Sequence, residues 1–357
     1  MSAASSPTTI APSNLDGRRS LVDSFGRRVT YLRLSVTNRC NFRCVYCMPA
    51  DGVPLEPATE LLSFEEIARV VTVMASMGVG RIRLTGGEPL VRRDLATLVR
   101  MLRAIDGVKE VVLTTNGLLL GRQAVALLEA GLAGLTVSVD SLRADRFARI
   151  TRGGELDRVL EGIEAARRAG FGPIKINTVL IRGFNDDEVL DLVDWALSSG
   201  HVLRFIEFMP IGEDTIWGLG DTDGSRCVPA AELRQVLERR YALSTLPPAE
   251  GVGPARYLRL SGPAVPEGVD GRVGVISAVT ECFCAGCNRI RMTPQGGLRA
   301  CLADDREVDL RAVLRSGGDR QALEAALSRA LFGKQETHTF DIEGGNVTLK
   351  QMVSIGG

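Results

Sequence analysis

Between residues 30 and 210 the sequence alternates two kinds of segment, and that alternation limits the fold more than any other feature. Strand-like runs stand at 31–37 (YLRLSVT), 81–85 (RIRLT), 110–115 (EVVLTT), 134–140 (GLTVSVD), 174–180 (IKINTVL) and 202–208 (VLRFIEF). Helix-like runs separate them, the first ending near Met77 and the others covering about 92–105, 120–130, 155–169 and 186–199. Ser63 followed by Glu66 forms a capping box ahead of the first helix, and Gly78 stops it. Strand–helix repeats with right-handed crossovers build a parallel sheet. No Gly-x-Gly-x-x-Gly follows the first strand, which disfavours a dinucleotide-binding sheet. The expected fold class is α/β: an incomplete (β/α)6 parallel barrel with its site at the C-terminal ends of the strands.

Strands of such a barrel normally read as near-continuous Val, Ile and Leu. Here Leu32, Leu34 and Val36 alternate with Arg33, Ser35 and Thr37, and Ile82 and Leu84 with Arg81, Arg83 and Thr85. Val137 and Val139 alternate with Ser138 and Asp140, and Ile174 and Ile176 with Lys175 and Asn177. Residues i and i+2 share a face. The apolar face has to meet the helices, so the polar face lines the interior. Arg33, Arg81, Arg83 and Lys175, with Arg204 on the sixth run, do not make a packed core, because buried cations are costly unless paired. Internal salt bridges are the plain alternative, but Asp140 is the only acid on those four faces. A ligand carrying several phosphates is the expectation.

That recognition has to be local. Forty-three basic residues balance 43 acidic ones, which argues against a general nucleic-acid binder. Apolar residues make up 45% and charged residues 24%, a globular composition. No run reaches the ~18–20 uninterrupted apolar residues of a membrane span. Residues 1–14 are rich in Ser, Thr, Ala and Pro and read as a disordered tail, and no apolar stretch of the export type follows Arg18-Arg19. A cytoplasmic location with reduced thiols is expected. Of the eight cysteines, all but Cys227 fall in two tight groups, which points to metal. The two histidines, His201 and His338, stand apart from both groups in sequence. Mixed Cys/His zinc sites and His-based acid–base catalysis are therefore not expected.

CNFRCVYC sets Cys40, Cys44 and Cys47 in a C-x3-C-x2-C pattern directly after the first strand. Three thiolates so placed can hold three irons of a 4Fe–4S cluster and leave the fourth open. Structural zinc would want a fourth ligand, which nothing nearby supplies. On these residues the chain resembles the radical S-adenosylmethionine superfamily. The resemblance implies that the open iron chelates S-adenosylmethionine and that the reduced cluster cleaves it to a 5′-deoxyadenosyl radical. It also sets Tyr46 against the adenine and makes TGGEP (85–89) the glycine-rich loop, Gly86 and Gly87 admitting the methionyl group.

CAGCNRIRMTPQGGLRAC carries Cys284, Cys287 and Cys301, again three ligands without an obvious fourth. A second cluster with an open iron is the economical reading, and a zinc site recruiting Cys282 is the alternative. Taken with RLTGGEPLVRRDL (83–95), TTNG (114–117), SVDSL (138–142), FIEFMP (205–210), FCAGCNRIRMT (283–293) and the final Gly-Gly, the pattern resembles the GTP 3′,8-cyclase family, which begins molybdenum-cofactor biosynthesis.

This second resemblance implies site roles. Cys40, Cys44 and Cys47 would hold the S-adenosylmethionine cluster, and Cys284, Cys287 and Cys301 a second 4Fe–4S cluster whose open iron meets the guanine. Tyr46, Gly87, Ser138 and Met209 would contact S-adenosylmethionine. Arg33, Arg83, Thr114, Lys175, Arg289, Ile290 and Arg291 would bind GTP, and Gly356 and Gly357 would reach into the active site as catalytic residues. Cys282 and Cys227 match no ligand. The implied reaction takes hydrogen from ribose C3′, joins C3′ to C8 and yields (8S)-3′,8-cyclo-7,8-dihydroguanosine 5′-triphosphate. A flavodoxin or ferredoxin as electron donor, product hand-off to cyclic pyranopterin monophosphate synthase, and a homodimer are implied in the same way. Two other readings stay open: a two-cluster radical enzyme acting on a peptide or another small molecule, and a non-enzymatic iron–sulfur protein that binds nucleotide.

The expected organisation is a tail (1–22), a partial barrel (23–225), a smaller second-cluster domain covering the barrel's open side (226–345), and a tail ending in Gly-Gly (346–357). Beyond residue 210 a loop (211–225), a helix (229–241), two short strands (256–260 and 272–277) and two helices within 306–332 are expected.

Overall fold

The computed structural model describes residues 14–15, 18–212, 226–247, 253–338, 340, 348 and 350–356. Most of the loop expected at 211–225, parts of the tails, and Gly357 lie outside the described residues. The expected alternation is present: β1 (Tyr31–Ser35), α1 (Phe64–Ser76), β2 (Arg81–Thr85), α2 (Leu95–Arg103), β3 (Glu110–Thr115), α3 (Leu120–Glu129) and β4 (Gly134–Ser138). It continues through α4 (Ala144–Thr151), α5 (Leu156–Ala169), β5 (Lys175–Leu180), α6 (Val189–Ser198) and β6 (Val202–Glu207). Then come α7 (Ala230–Glu238), β7 (Ala242–Thr245), β8 (Arg256–Ser261), β9 (Arg272–Ile276), β10 (Arg289–Met292), β11 (Gly297–Arg299), β12 (Val308–Asp309), α8 (Leu310–Arg315) and α9 (Arg320–Phe332). Among the described residues no helix is long and apolar enough to cross a membrane.

The six strands β1–β6 lie side by side in chain order and are all parallel. Their apolar faces pack on the helices in one core that holds Leu32, Leu34, Ile82, Leu84, Leu113, Val137, Ile176 and Phe205. The region after residue 225 corrects the expected organisation. It does not form a separate body: β9 pairs parallel with β6, and β10 pairs parallel with β1, so the barrel sheet is lengthened at both edges. An open barrel leaves a row of unpaired N–H and C=O groups on each edge strand, and these two late strands satisfy them. Antiparallel β8 and β7 extend one side, β11 and β12 the other.

The N-terminal tail also ends sooner than residue 22. Leu21 is buried, its N–H donates to the Met77 carbonyl at 3.2 Å, and its carbonyl accepts the Val29 N–H at 2.8 Å. Cys227 is buried, as a small apolar residue would be.

The capping box forms as read. Ser63 Oγ accepts the Glu66 N–H at 3.1 Å, and the Glu66 carboxylate accepts the Ser63 N–H at 2.8 Å. Ser63→Ala is expected to cost about 1 kcal/mol of stability, read as a lower denaturant midpoint of the metal-free chain. An unchanged midpoint would mean that the contact of Arg315 with Glu66 suffices to hold the helix start.

Candidate active site

Register turns the polar strand faces into rows of charge. Arg291 of β10 stands opposite Arg33 of β1, which stands opposite Arg83 of β2. Two residues earlier along the strands, Arg289, Tyr31, Arg81 and Glu110 form a second row. Like charges placed directly opposite repel. Burial, and next Arg291, hold the Arg33 guanidinium well below its ordinary value. Burial, and next Arg289, draw Arg291 down to about 10. Lys175, on β5, comes down to about 8 through burial and then Arg204, Arg81 and Arg83.

The cleft they share is also lined by Tyr31, Tyr46, Thr114, Ser138, Asp140, Asn177, Arg204, Met209 and Phe283. Arg81 has a partner, Glu110 at 3.0 Å, so the salt-bridge alternative holds for that one residue. Among the described residues, Arg83, Lys175, Arg204, Arg289 and Arg291 have no carboxylate at ion-pair distance. The two acids in the cleft are spent elsewhere. Asp140 accepts the Val179 N–H and the Tyr46 hydroxyl, both at 2.8 Å. Glu207 accepts the backbone N–H groups of Ala230, Val279 and Thr280. Arg83 is held by hydroxyls instead: Tyr31, Thr114 at 2.9 Å and Thr136 at 3.0 Å. Thr114 thus orients a cation as well as lining the cleft.

Cys40, Cys44 and Cys47 sit on the loop after β1, at the C-terminal mouth of the sheet. Burial pushes the metal-free Cys40 thiol up to about 11 and Cys47 to about 12. The Phe42 N–H donates to Cys40 Sγ at 3.4 Å. TGGEP is pressed against this loop. A Cβ on Gly86 would lie 2.5 Å from the Thr37 carbonyl oxygen, and one on Gly87 2.4 Å from that of Arg39. The close approach that demands glycine here is therefore to the backbone leading into the cysteine loop. Glu88 ties this corner to β3: its carboxylate accepts the Leu90 N–H at 2.9 Å, and the Thr115 hydroxyl and Asn116 N–H at 2.7 Å each. Burial lifts it to about 7.

The second cysteine group lies across the cleft. Burial raises the Cys287 thiol, but Arg289 and Lys334 outweigh it and bring the group down to about 7. Lys334 Nζ stands 3.5 Å from Cys287 Sγ and donates to the Arg289 carbonyl at 2.8 Å. Residues 350–356 run between the two groups. The Val353 N–H points at Cys47 Sγ, and Ile355 is buried in a cluster that includes Cys301, Leu302 and Met209. The Gly356 carbonyl accepts Arg291 Nη1 at 2.9 Å and Arg33 Nη2 at 3.3 Å.

Of the residues expected in the site, Arg33, Tyr46, Arg83, Thr114, Ser138, Lys175, Met209, Arg289 and Arg291 line one cleft. Ile290 pairs with Leu32 on the apolar face and its side chain is fully buried in the core, so it can offer a ligand only its backbone. Gly87 lies off the cleft wall and acts on the cysteine loop. Asn177, read on the inward polar face, lines the cleft as well. Sequence reading missed Tyr31 and Lys334: Tyr31 was legible, since it shares the inward parity of Arg33, and Lys334 carried no local signal.

The cysteine geometry fits clusters better than single ions. Among the described residues, neither expected triad brings its three sulfurs within 4.8 Å of one another, as ligands of one ion would. A parallel sheet around a cationic cleft, with three thiols on the loop after its first strand, defines a radical S-adenosylmethionine enzyme. A family model described as "Radical SAM superfamily" matches residues 34–196, and one described as "Molybdenum Cofactor Synthesis C" matches 201–340. The chain belongs to the GTP 3′,8-cyclase family of molybdenum-cofactor biosynthesis. A GTP 3′,8-cyclase of Pelotomaculum thermopropionicum is 48% identical over 338 residues, covering 94% of this chain and 99% of that one. One of Moorella thermoacetica is 45% identical over 335 residues, with the same coverage. The crystal structure of Streptococcus suis SuiB bound to S-adenosylmethionine shares the fold, with a TM-score of 0.55 at 14% identity over 84% of this chain and 68% of that one. Membership implies a 4Fe–4S cluster and S-adenosylmethionine as cofactors.

Proposed function

We propose that this cyclase holds GTP by its triphosphate on the Arg291–Arg33–Arg83 row and Lys175, between two 4Fe–4S clusters. Cys40, Cys44 and Cys47 hold the first cluster, beside S-adenosylmethionine lodged near Tyr46, Ser138 and Met209. Cys284, Cys287 and Cys301 hold the second, with its open iron toward the guanine. One observation carries the reading: in-register guanidiniums in a cleft whose acids are already engaged, an arrangement that a polyanion relieves.

When bound, the first cluster and S-adenosylmethionine supply the radical that takes hydrogen from ribose C3′. The chain's own contribution is positional. The cations fix the triphosphate, the Tyr46–Asp140 bond fixes the wall beside the first cysteine group, and Met209, Met352 and Phe283 line the cleft with apolar surface that keeps water out. A flavodoxin or ferredoxin as reductant, hand-off to cyclic pyranopterin monophosphate synthase, and a homodimer rest on family membership. Anaerobic turnover of GTP against a peptide pool, with 5′-deoxyadenosine measured in both, tests the reading. Deoxyadenosine release driven by peptide and not by GTP would overturn it.

Iron loading is expected to approach about eight per chain, and about four after Cys301→Ser, with S-adenosylmethionine cleavage still detectable. Loss of both clusters together would show that the two sites are not independent.

Lys175 sets a pH dependence. Triphosphate favours the charged ammonium, so GTP affinity is highest below about 8 and falls as pH rises through that value. Lys175→Arg, which stays charged, is expected to flatten the profile. An unaltered profile would remove Lys175 from the phosphate contacts.

A further inference from the structure

Cys282 is the thiol that the proposed chemistry leaves over. It is exposed, two residues before buried Cys284, and its Sγ accepts the Cys284 N–H at 3.3 Å. His338, remote in sequence, folds over the same spot. Among the described residues, Cys282, Cys284 and His338 are the group whose three potential ligand atoms all lie within 4.8 Å of one another. The ring is only partly engaged: Nδ1 accepts the Phe340 N–H at 3.2 Å, and Nε2 is buried without a hydrogen-bond partner. This corrects the expectation that histidine stands apart from the cysteine groups.

We propose that Cys282, Cys284 and His338 form a site for a soft divalent cation, zinc above all, that shares Cys284 with the second cluster and therefore excludes it. Two sulfurs and an imidazole nitrogen are a donor set that zinc takes readily. Zinc–sulfur bonds of ~2.3 Å put two thiolates of a tetrahedral site roughly 4 Å apart, within the observed spread. The Cys284, Cys287 and Cys301 sulfurs stand wider than that. Each thiol gives up its proton as the ion binds, and no redox step is involved. With Cys284 committed to the ion, the cluster is left with Cys287 and Cys301 alone, so the two fillings compete for one thiolate. The chain thus has two exclusive metal states on one side of the cleft, while Cys40, Cys44 and Cys47 are untouched by the choice. Zinc-filled chain keeps its first cluster and lacks the second.

The exclusion rests on the proposal that Cys284 is a cluster ligand, and the experiment keeps the two claims apart. Full-length Cys301→Ser chain, carrying its first cluster, is titrated anaerobically with zinc against a chromophoric chelator, with cobalt(II) as an absorbing stand-in. About one ion per chain is expected, with the visible bands of tetrahedral thiolate ligation. On that background Cys282→Ser, and separately His338→Gln, is expected to weaken zinc at least tenfold. In the otherwise native chain, iron reconstitution with zinc present is expected to stop at about four irons, and Cys282→Ser to restore about eight. Zinc affinity indifferent to both substitutions would overturn the site. Iron lost from Cys282→Ser without zinc would make Cys282 a cluster ligand and overturn the site equally. About eight irons retained by Cys301→Ser itself would sink the cluster assignment and the exclusion, leaving the zinc titration to judge the ion site alone.

Discussion

Deleting Gly356 and Gly357 is expected to abolish cyclisation while iron content and GTP affinity stay nearly intact. The cut falls just beyond the anchor. Ile355 is buried against the second cysteine group, and Val353 against the first, so residues 350–355 keep their fold without the two glycines. The cut removes the Gly356 carbonyl, which accepts from both Arg33 and Arg291 and so fixes the aim of two guanidiniums. Their charges remain and still attract a triphosphate, so binding shifts only a few-fold. Displacing a bound substrate by about 1 Å costs on the order of a hundredfold in rate, so turnover carries the loss. Gly356→Ala should do nearly as much. Its φ is +71°, and an added Cβ would lie 3.2 Å from Ser35 Cβ. Anaerobic product formation, iron analysis and GTP binding on the same samples decide the matter. Full-rate cyclisation by the shortened chain would make the tail dispensable.

Arg83→Ala is expected to weaken GTP far more than guanosine. A charge-assisted contact at a buried site is worth roughly 1.5–3 kcal/mol, or about 10- to 100-fold in affinity. Guanosine lacks the phosphates and should lose little. S-adenosylmethionine, whose proposed seat is toward the cysteine loop, should be unaffected. Arg83 also ties together the hydroxyls of Tyr31, Thr114 and Thr136. Equal weakening of GTP and guanosine would mean that this bracing, and not phosphate contact, is its role.

Much of this was legible from residue order alone. Period-two alternation put Arg33, Arg83, Ser138 and Lys175 on the inner face, and all four line the cleft. The same rule sets Ile290, between Arg289 and Arg291, on the opposite face, and it lies in the core. The α4 helix (Ala144–Thr151) escaped notice because it is short and lacks a side-chain cap. The union of β10 with β1 escaped for a different reason: pairing across so long a stretch leaves no local trace, and the second cysteine group reads as an appended unit. Glu110 as the partner of Arg81 was hidden likewise, since register between strands is not written in either strand. The position of His338 beside Cys282 is a long-range fact of the same kind.

The closing of the sheet by late strands bears on how the chain is made. Tyr31 pairs with Arg289, and Leu203 with Val273, so both flanks of β1–β6 stay bare until most of the polypeptide has left the ribosome. Contacts this distant form slowly, and bare strand edges seek partners on other chains. The six-strand core is therefore an unfinished product and not a free-standing unit during synthesis.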